Sequence, residues 1–275
     1  MADATTYPKT ASNTVNRYKH QATYDVETIH EIVNSSPFVH VSFVPDPSTS
    51  LPIILPMIGQ IGTYIPDPEP DSSAPPQAPH LYLHTSISSR LASLTSTHPS
   101  PGLPLCIAAT HLSGLVLSLT PYSHNYNYRS AVLQGAATLV SAPDEKLWAM
   151  RLLTNSVVPG RWEETRVPPT KAELTSTAIL KFSIETASAK VREGGPEDER
   201  WDMKNEEVLG RVWTGVVPVY ERLGTPAAGP YNRVKEVPGH IGEWVAEENE
   251  RREREVVEGA KKAPPVKRPK KKDEE

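Results

Sequence analysis

Residues 80–97 read HLYLHTSISSRLASLTST, and the change of period inside them decides the fold class. His80 to His84 is an apolar, strand-like run, whereas Ser86 to Thr97 carries serine caps with Ile87, Leu91 and Leu94 at helical spacing. A strand therefore feeds directly into a helix. At the join, unpaired first-turn N–H groups, Ser and Thr hydroxyls and Arg90 converge, which suits a dianionic phosphate. The same residues equally suit a Ser-capped helix with an exposed arginine.

Working outward, Tyr24 to Asn34 reads as a short helix: Asp25 can cap it, and Ile29, Ile32 and Val33 share one face. Phe38 to Val44 and Leu51 to Ile58 are β-branched and apolar, and Pro45-Asp46-Pro47-Ser48 joins them as a hairpin turn. Residues 66–79 hold six prolines, so they cannot supply ladder donors and read as an extended surface loop interrupting a sheet. Further on, Leu103 to Leu112 and Leu115 to Leu119 flank Ser113-Gly114, a two-residue hairpin signal. Tyr128 to Val140 is a long strand in which Gly135 suggests a bulge. Asp144 to Val157 predicts a second helix with Leu147, Met150, Leu153 and Val157 on one face, stopped by Pro159-Gly160. Ala178 to Val191 and Val212 to Val219 supply the last strands. Six or seven strands with hairpin connections and no βαβ rhythm predict a mainly β protein with flanking helices, an antiparallel barrel.

Composition narrows the class. The chain has 275 residues, 37% of them hydrophobic, and a formal net charge of −4. Its longest apolar runs fall far short of the roughly 20 residues a membrane span needs. The polar N-terminus does not read as a secretory signal, so a cytoplasmic location is expected. Cys106, the single cysteine, sits in an apolar run and reads as a small core residue. The expected organisation is a flexible N-terminal arm (1–21), a barrel domain (22–220) interrupted by the Pro-rich loop 66–79, a C-terminal extension (221–245) and a charged, disordered tail (246–275). Glu250 and Arg254 in that tail form an i,i+4 pair, and KRPKKK at 267–272 resembles a nuclear localisation signal or polyanion patch. His80 and His84, ~13 Å apart on a strand, cannot share a metal.

A second informative stretch is Asn127-Tyr128-Arg129-Ser130, which opens an apolar strand with two donors. It could place them beside a ligand, or Arg129 could simply pair with a surface carboxylate. In order, YDVETIHEI, FVHVSFV, LYLHTSISSR, GLVLSL, NYRSAVLQGAATLV, VVPGRW, PPTKAEL, SAKVR and VWTGVVPV resemble the flavin-nucleotide-binding branch of the pyridoxamine 5′-phosphate oxidase-like proteins. That branch includes the nitroimidazole-resistance reductases. The resemblance covers about residues 22–220 and implies a Greek-key split barrel, a homodimer with flavin mononucleotide (FMN) between subunits.

Carried over residue by residue, the resemblance implies that Ser89 and Arg90 bind the FMN phosphate, with His84 and Thr85 on the bordering strand. Tyr128, Arg129 and Ser130 match the strand reaching the flavin from the other side, and Pro56 and Met57 match the strand beside the isoalloxazine. Lys190, Arg192 and Trp213 match late motifs. His84 is the candidate catalytic, proton-donating group. The chain also departs from the oxidase proper. Leu91 replaces a second phosphate-binding basic residue, and the C-terminal pyridoxal-phosphate pattern is not evident, so vitamin B6 oxidation is not expected. Before NYRS, His124 is kept, but Ser123 and Asn125 replace other family residues.

The resulting expectation is an FMN-dependent oxidoreductase acting on a small oxidant such as a nitro compound or quinone, with NAD(P)H as a donor. Alternatives are a non-catalytic FMN carrier, a haem-binding split barrel, or a protein working through its charged tail. No membrane partner and no resident metal are expected, and nucleic acid only weakly through the basic tail, which could also direct nuclear entry.

Overall fold

The computed structural model describes residues 5–46, 48–66 and 77–264. Most of the Pro-rich segment and the whole KRPKKK run lie outside the described residues. Nine strands are described: β1 (Ala22–Thr23), β2 (Val39–Phe43), β3 (Ile53–Met57), β4 (Gly59–Gly62), β5 (His80–Ser86), β6 (Leu103–Leu117), β7 (Asn125–Leu139), β8 (Thr177–Arg192) and β9 (Gly215–Pro218). Six helices accompany them: α1 (Val26–Asn34), α2 (Arg90–Thr97), α3 (Pro143–Val157), α4 (Lys171–Ser176), α5 (Glu206–Arg211) and α6 (Gly239–Lys261). No described helix is long and apolar enough to cross a membrane.

The strand order is β3-β2-β6-β7-β8-β5-β4. Its two ends, β3 and β4, are separated in sequence by Ile58 alone, so the sheet must curl back on itself. Gly59 shows how tightly: a Cβ there would lie 2.8 Å from Leu83 of β5 and 2.9 Å from Val39 of β2. Only glycine lets side chains from strands near opposite ends of the order meet around it. The pairings of β2 with β3 and β6, and of β5 with β4 and β8, are antiparallel. The fold is a mainly antiparallel split barrel with flanking helices.

The chain divides into two compact units. The first comprises residues 1–14, 24–110 and 130–189, and the second 15–23, 111–129 and 190–275. In the first, α1 begins where expected: Asp25 accepts the Thr28 backbone N–H at 2.8 Å, and Ile29, Ile32 and Val33 are buried. Residues expected to be a flexible arm are pinned here. The Tyr7 and Val26 backbone N–H groups donate to the Tyr24 and Thr5 carbonyls, and Tyr7 Oη lies 2.7 Å from His30 Nε2. Asn13 Nδ2 donates to the Ala187 carbonyl at 3.1 Å. The arm is held by partners distant in sequence, which periodicity does not report.

Helix α3 packs Ala149 and Leu153 on Tyr82 and Ile179, with Trp148, Met150 and Leu152 beside them. Leu147 and Val157, expected on the buried face, are exposed. Each fully buried large aliphatic in this cluster contributes roughly 1.5–3 kcal/mol of transfer free energy. The Tyr82 hydroxyl donates to Glu145 Oε1 at 2.7 Å, and Glu145 also pairs with Lys181 at 2.8 Å. Burial pushes the Tyr82 hydroxyl pKa up, and the bond to Glu145 adds to this. The group is thereby a structural tie.

Two expected glycine signals have other causes. Ser113 and Gly114 lie inside the continuous β6 and form no hairpin turn; Gly114 opposes Pro218 of β9, and a Cβ there would meet Val216 Cγ1 at 2.8 Å. At Gly135 a Cβ would stand 1.9 Å from the Ser183 carbonyl oxygen, so the glycine marks close backbone approach. Strand β4 and helices α4 and α5 add to the elements expected from sequence. Over 246–261, the first part of the expected disordered tail, α6 forms instead, its charges paired along the helix: Glu248 with Arg251 and Arg252 at 2.7 Å each, Arg251 with Glu255 at 3.0 Å; residues 265–275 of that tail lie outside the described residues.

Candidate functional site

The expected site residues fall into two sets, one per unit. In the first unit, the turn between β5 and α2 is built from serines. Ser86 and Ser88 hydroxyls lie 2.9 Å apart, the Ser89 backbone N–H donates to the Ser86 carbonyl at 3.0 Å, and Ser89 Oγ accepts from Ala92 N–H at 3.1 Å. Ser89 is the N-cap and Arg90 the first helical residue. Helix α2 thus starts four residues later than Ser86, and Ile87 is exposed, outside the helical stripe. The first-turn N–H groups of Arg90 and Leu91 have no intrahelical acceptor by position. With the helix dipole, the hydroxyls and the exposed Arg90 side chain, they form a turn chemically suited to a phosphate.

Position 91 clarifies one departure from the oxidase pattern. Leu91 is 1% exposed and part of the core, so that position does not serve the turn. The turn also has an acidic neighbour. Asp46 accepts the Ser48 backbone N–H at 2.9 Å, which with the Ser48 side chain holds its carboxyl below the ordinary range, and the Arg90 charge lowers it further.

Alternation along β5 separates two expected neighbours. His84 opposes Ile179 and is exposed, whereas Thr85 opposes Ala178 and is half-buried, so their side chains lie on opposite faces. Pro56 and Met57 on β3 are opposed by His40 and Val39, again on opposite faces, with Pro56 exposed and Met57 half-buried. Ser130, half-buried on β7, is the last residue of this set.

In the second unit, the neighbouring β7 residues are held by the protein itself. Arg129 pairs with Glu255 of α6. Lys190 Nζ lies 5.8 Å from the Tyr128 ring centroid and 5.2 Å from that of Tyr18. Trp213 is 65% exposed and lies over Gly215, where a Cβ would meet its ring at 2.6 Å. Arg192 and Asn127 are each 2% exposed. The Arg192 guanidinium donates to Asn127 Oδ1 and, at 3.2 Å, to the Gly195 carbonyl, with Glu197 3.8 Å away. Asn127 Nδ2 donates to the Gly194 carbonyl at 3.1 Å. Burial pushes the Arg192 pKa down while Glu197, Tyr128 and Tyr18 oppose that shift.

Sequence reasoning missed Asn127 as a buried anchor, Glu255 as the partner of Arg129, and Tyr18 beside Lys190. Only the NYNYRS alternation hinted at Asn127; the other two depend on segments distant in sequence. His124 has a structural task, its Nδ1 accepting the Ser118 backbone N–H at 2.9 Å.

A family model described as pyridoxamine 5′-phosphate oxidase matches residues 25–191. Among solved structures, the flavocytochrome Anf3 from Azotobacter vinelandii is similar at 28% identity and a TM-score of 0.68, covering 86% of this chain and 97% of its own. The FAD and heme binding protein from Mycobacterium smegmatis is similar at 25% identity and a TM-score of 0.65, covering 82% and 97%. A candidate 5-nitroimidazole antibiotic resistance protein from Bacteroides thetaiotaomicron is more distant, at 17% identity and a TM-score of 0.43, over 62% of this chain and 86% of its own. No curated protein matches the sequence. The strand order, the strand-to-helix serine turn and a matched region exceeding half of the chain converge on one assignment: the chain belongs to the pyridoxamine 5′-phosphate oxidase family.

Proposed function

We propose that this chain is a flavin-binding oxidoreductase, with FMN as the flavin unit at its core. The observation that carries the reading is the Ser86–Arg90 turn, where hydroxyls, first-turn N–H groups and an exposed arginine meet in a chain of this family. Its residues fit a terminal phosphate in charge and donor count. Ser89 and Arg90 would hold the phosphate, while Pro56, Met57, His84, Thr85 and Ser130 would border the flavin. Tyr128, Arg129, Lys190 and Trp213 are proposed to contribute from the second set. Bound flavin supplies the hydride and single-electron chemistry; the protein binds, orients and excludes water. His84, exposed on β5, would hold the proton delivered to a small acceptor such as a nitro compound or quinone, and NAD(P)H is the proposed donor.

The chain is proposed to act as a homodimer. Supporting this, Ile53, Ile54 and Leu55 of β3 are all exposed, Ile54 at 61%. A contiguous apolar strand of this kind is usually covered by another surface, and a second copy is the simplest occupant.

The test is the absorbance spectrum of freshly purified protein and the mass of whatever heat releases from it. A flavin spectrum, lost with about tenfold weaker binding in Arg90→Ala, is the expected result. Colourless protein that takes up no added flavin would overturn the proposal.

A second reading adds haem. The two relatives with the highest similarity given above are a flavocytochrome and a FAD and heme binding protein, each aligned over 97% of its own chain. A Soret band alongside the flavin spectrum after reconstitution with haemin would favour it. A flavin spectrum unchanged by haemin would eliminate it.

A further inference from the structure

Within the second unit, negative charge gathers beside the end of α6. Residues 193–207 hold seven carboxylates against Arg200 and Lys204. Two of the seven have cations of their own: Glu193 meets Lys262 at 2.6 Å, and Glu197 lies 3.8 Å from Arg192. Asp198 Oδ1 accepts the Leu119 backbone N–H at 2.8 Å, which orients that carboxylate without supplying a counter-charge.

Asp202 is the anomaly. The Met203 N–H donates to the Glu199 carbonyl at 3.1 Å, and this turn leads into a short 3-10 helix, Asp202–Lys204, that sinks Asp202 to 4% exposure. No donor among the described residues meets its carboxylate, and the charges that act on it, Asp198 and Glu199, are both of its own sign. Burial first, and then those two charges, push its pKa up. A buried carboxylate held among like charges is unfavourable unless a cation joins it. Asp202 is flanked in sequence by Trp201, 70% exposed, and Met203, 50% exposed. Such apolar surfaces accept the stem of a lysine whose ammonium lies on the acids.

The chain carries such cations close by. Helix α6 ends against the start of the acidic run: the Gly194 N–H donates to the Gly259 carbonyl at 3.0 Å, and a Cβ on Gly194 would stand 2.4 Å from the Ala263 carbonyl oxygen. Asp198 is four residues from Gly194, and an extended chain spans at most about 3.6 Å per residue, so the two lie within roughly 14 Å of each other. Lys267 and Lys272 follow Pro264 by three and eight residues, which sets their reach at up to roughly 11 and 29 Å by the same rule. The KRPKKK run thus brings five cations in six positions within range of the acids.

We infer that Asp198, Glu199 and Asp202 form a receptor for the lysine side chains of this chain's own 267–272 run, which they bind in cis and shield from external polyanions. The inference is independent of the flavin reading, since it uses no residue placed at the flavin.

The test is zero-length carbodiimide coupling of the full-length wild type at low salt, which joins a carboxylate to an amine only where the two are in contact, followed by peptide mass analysis. Expected are amide links from Lys267, Lys270, Lys271 or Lys272 to Asp198, Glu199 or Asp202, within the monomer band. Their yield should fall about tenfold in 1 M salt, where the screening length is ~3 Å. Links from these lysines only to other carboxylates, links only between two copies, a yield indifferent to salt, or no links at all overturn the inference. Elution from a heparin column reads the shielding. Asp198→Asn/Asp202→Asn keeps the acceptor for Leu119, and it should elute at higher salt than Glu27→Gln/Glu31→Gln, which removes the same charge from exposed positions of the other unit. Equal elution of the two variants overturns the inference as well.

Discussion

At the start of α2, Arg90 stands exposed among serine hydroxyls and first-turn N–H groups, with Asp46 as its charged neighbour. In the other unit, Arg192 is sunk to 2% exposure and held by Asn127, the Gly195 carbonyl and Glu197. One arginine is presented outward and the other is spent on architecture. Both lie in segments that resemble the family, so motif matching alone gives them equal standing. Burial and partners separate them: a buried cation clamped by carbonyl oxygens of the protein supports a site, whereas an exposed one at a helix start can be the site.

The contrast can be broken by substitution. Arg192→Leu should have the largest effect, because it leaves Asn127 and the Gly195 carbonyl without their buried donor and Glu197 without its counter-charge. A loss of about 4 kcal/mol in urea unfolding is expected, and a loss below about 1 kcal/mol would mean Arg192 is not an architectural anchor. Ser89→Ala should cost about 1 kcal/mol through the lost α2 cap, with reduced flavin affinity on top. If stability falls while flavin affinity holds, the serine turn is only a cap. Glu255→Gln, which neutralises the α6 partner of Arg129, should cost about 0.5 kcal/mol at low salt and less at high salt, since the pair is partly exposed. A salt-independent loss would argue against an ionic tie.

The smallest effect is a pH effect. Glu173 accepts two bonds from Arg166 Nη2, at 2.5 and 2.8 Å, and closes a capping box with Thr170. The Arg166 bond first, then the Thr170 bonds, bring its pKa down to about 2 from an ordinary 4.5. Because the folded value is depressed, the stability this group adds is complete above the ordinary value and is lost as pH falls towards 2. The wild type should therefore show a steeper fall in urea midpoint over that window than Glu173→Gln. Identical slopes would show that solvent screening removes the contribution.

Local signals were legible in the sequence, and approach between distant segments was not. Asp25 caps α1 and Ser89 caps α2 because a cap depends on residues two or three positions away. The hairpin of β2 and β3 was likewise readable from its prolines and β-branched runs. Gly114, Gly135 and Gly59 were misread or passed over for one shared reason. Sequence reports that a side chain is missing, but not whether a turn, a bulge or a neighbouring backbone requires it. At Gly135 the neighbour is the Ser183 carbonyl, nearly fifty positions away. Helix α6 was lost to composition: paired charges and solvated charges have the same letters. At the candidate site, the serine-rich join of strand and helix was readable but not its length, since α2 starts only at Arg90 and leaves Ile87 off its stripe, while the Asn127–Arg192 clamp, the Glu255 tie and Tyr18 beside Lys190 required the folded chain.

The single residue between β3 and β4 has a consequence for how such a chain can vary. Ile58 is the entire connection between strands that end the sheet order on opposite sides. A side chain changes face with every residue along a strand, so one extra residue there must turn one of the two strands inside out or be squeezed out as a kink. Length changes during evolution or engineering should therefore be rejected at this junction even where its chemistry tolerates replacement.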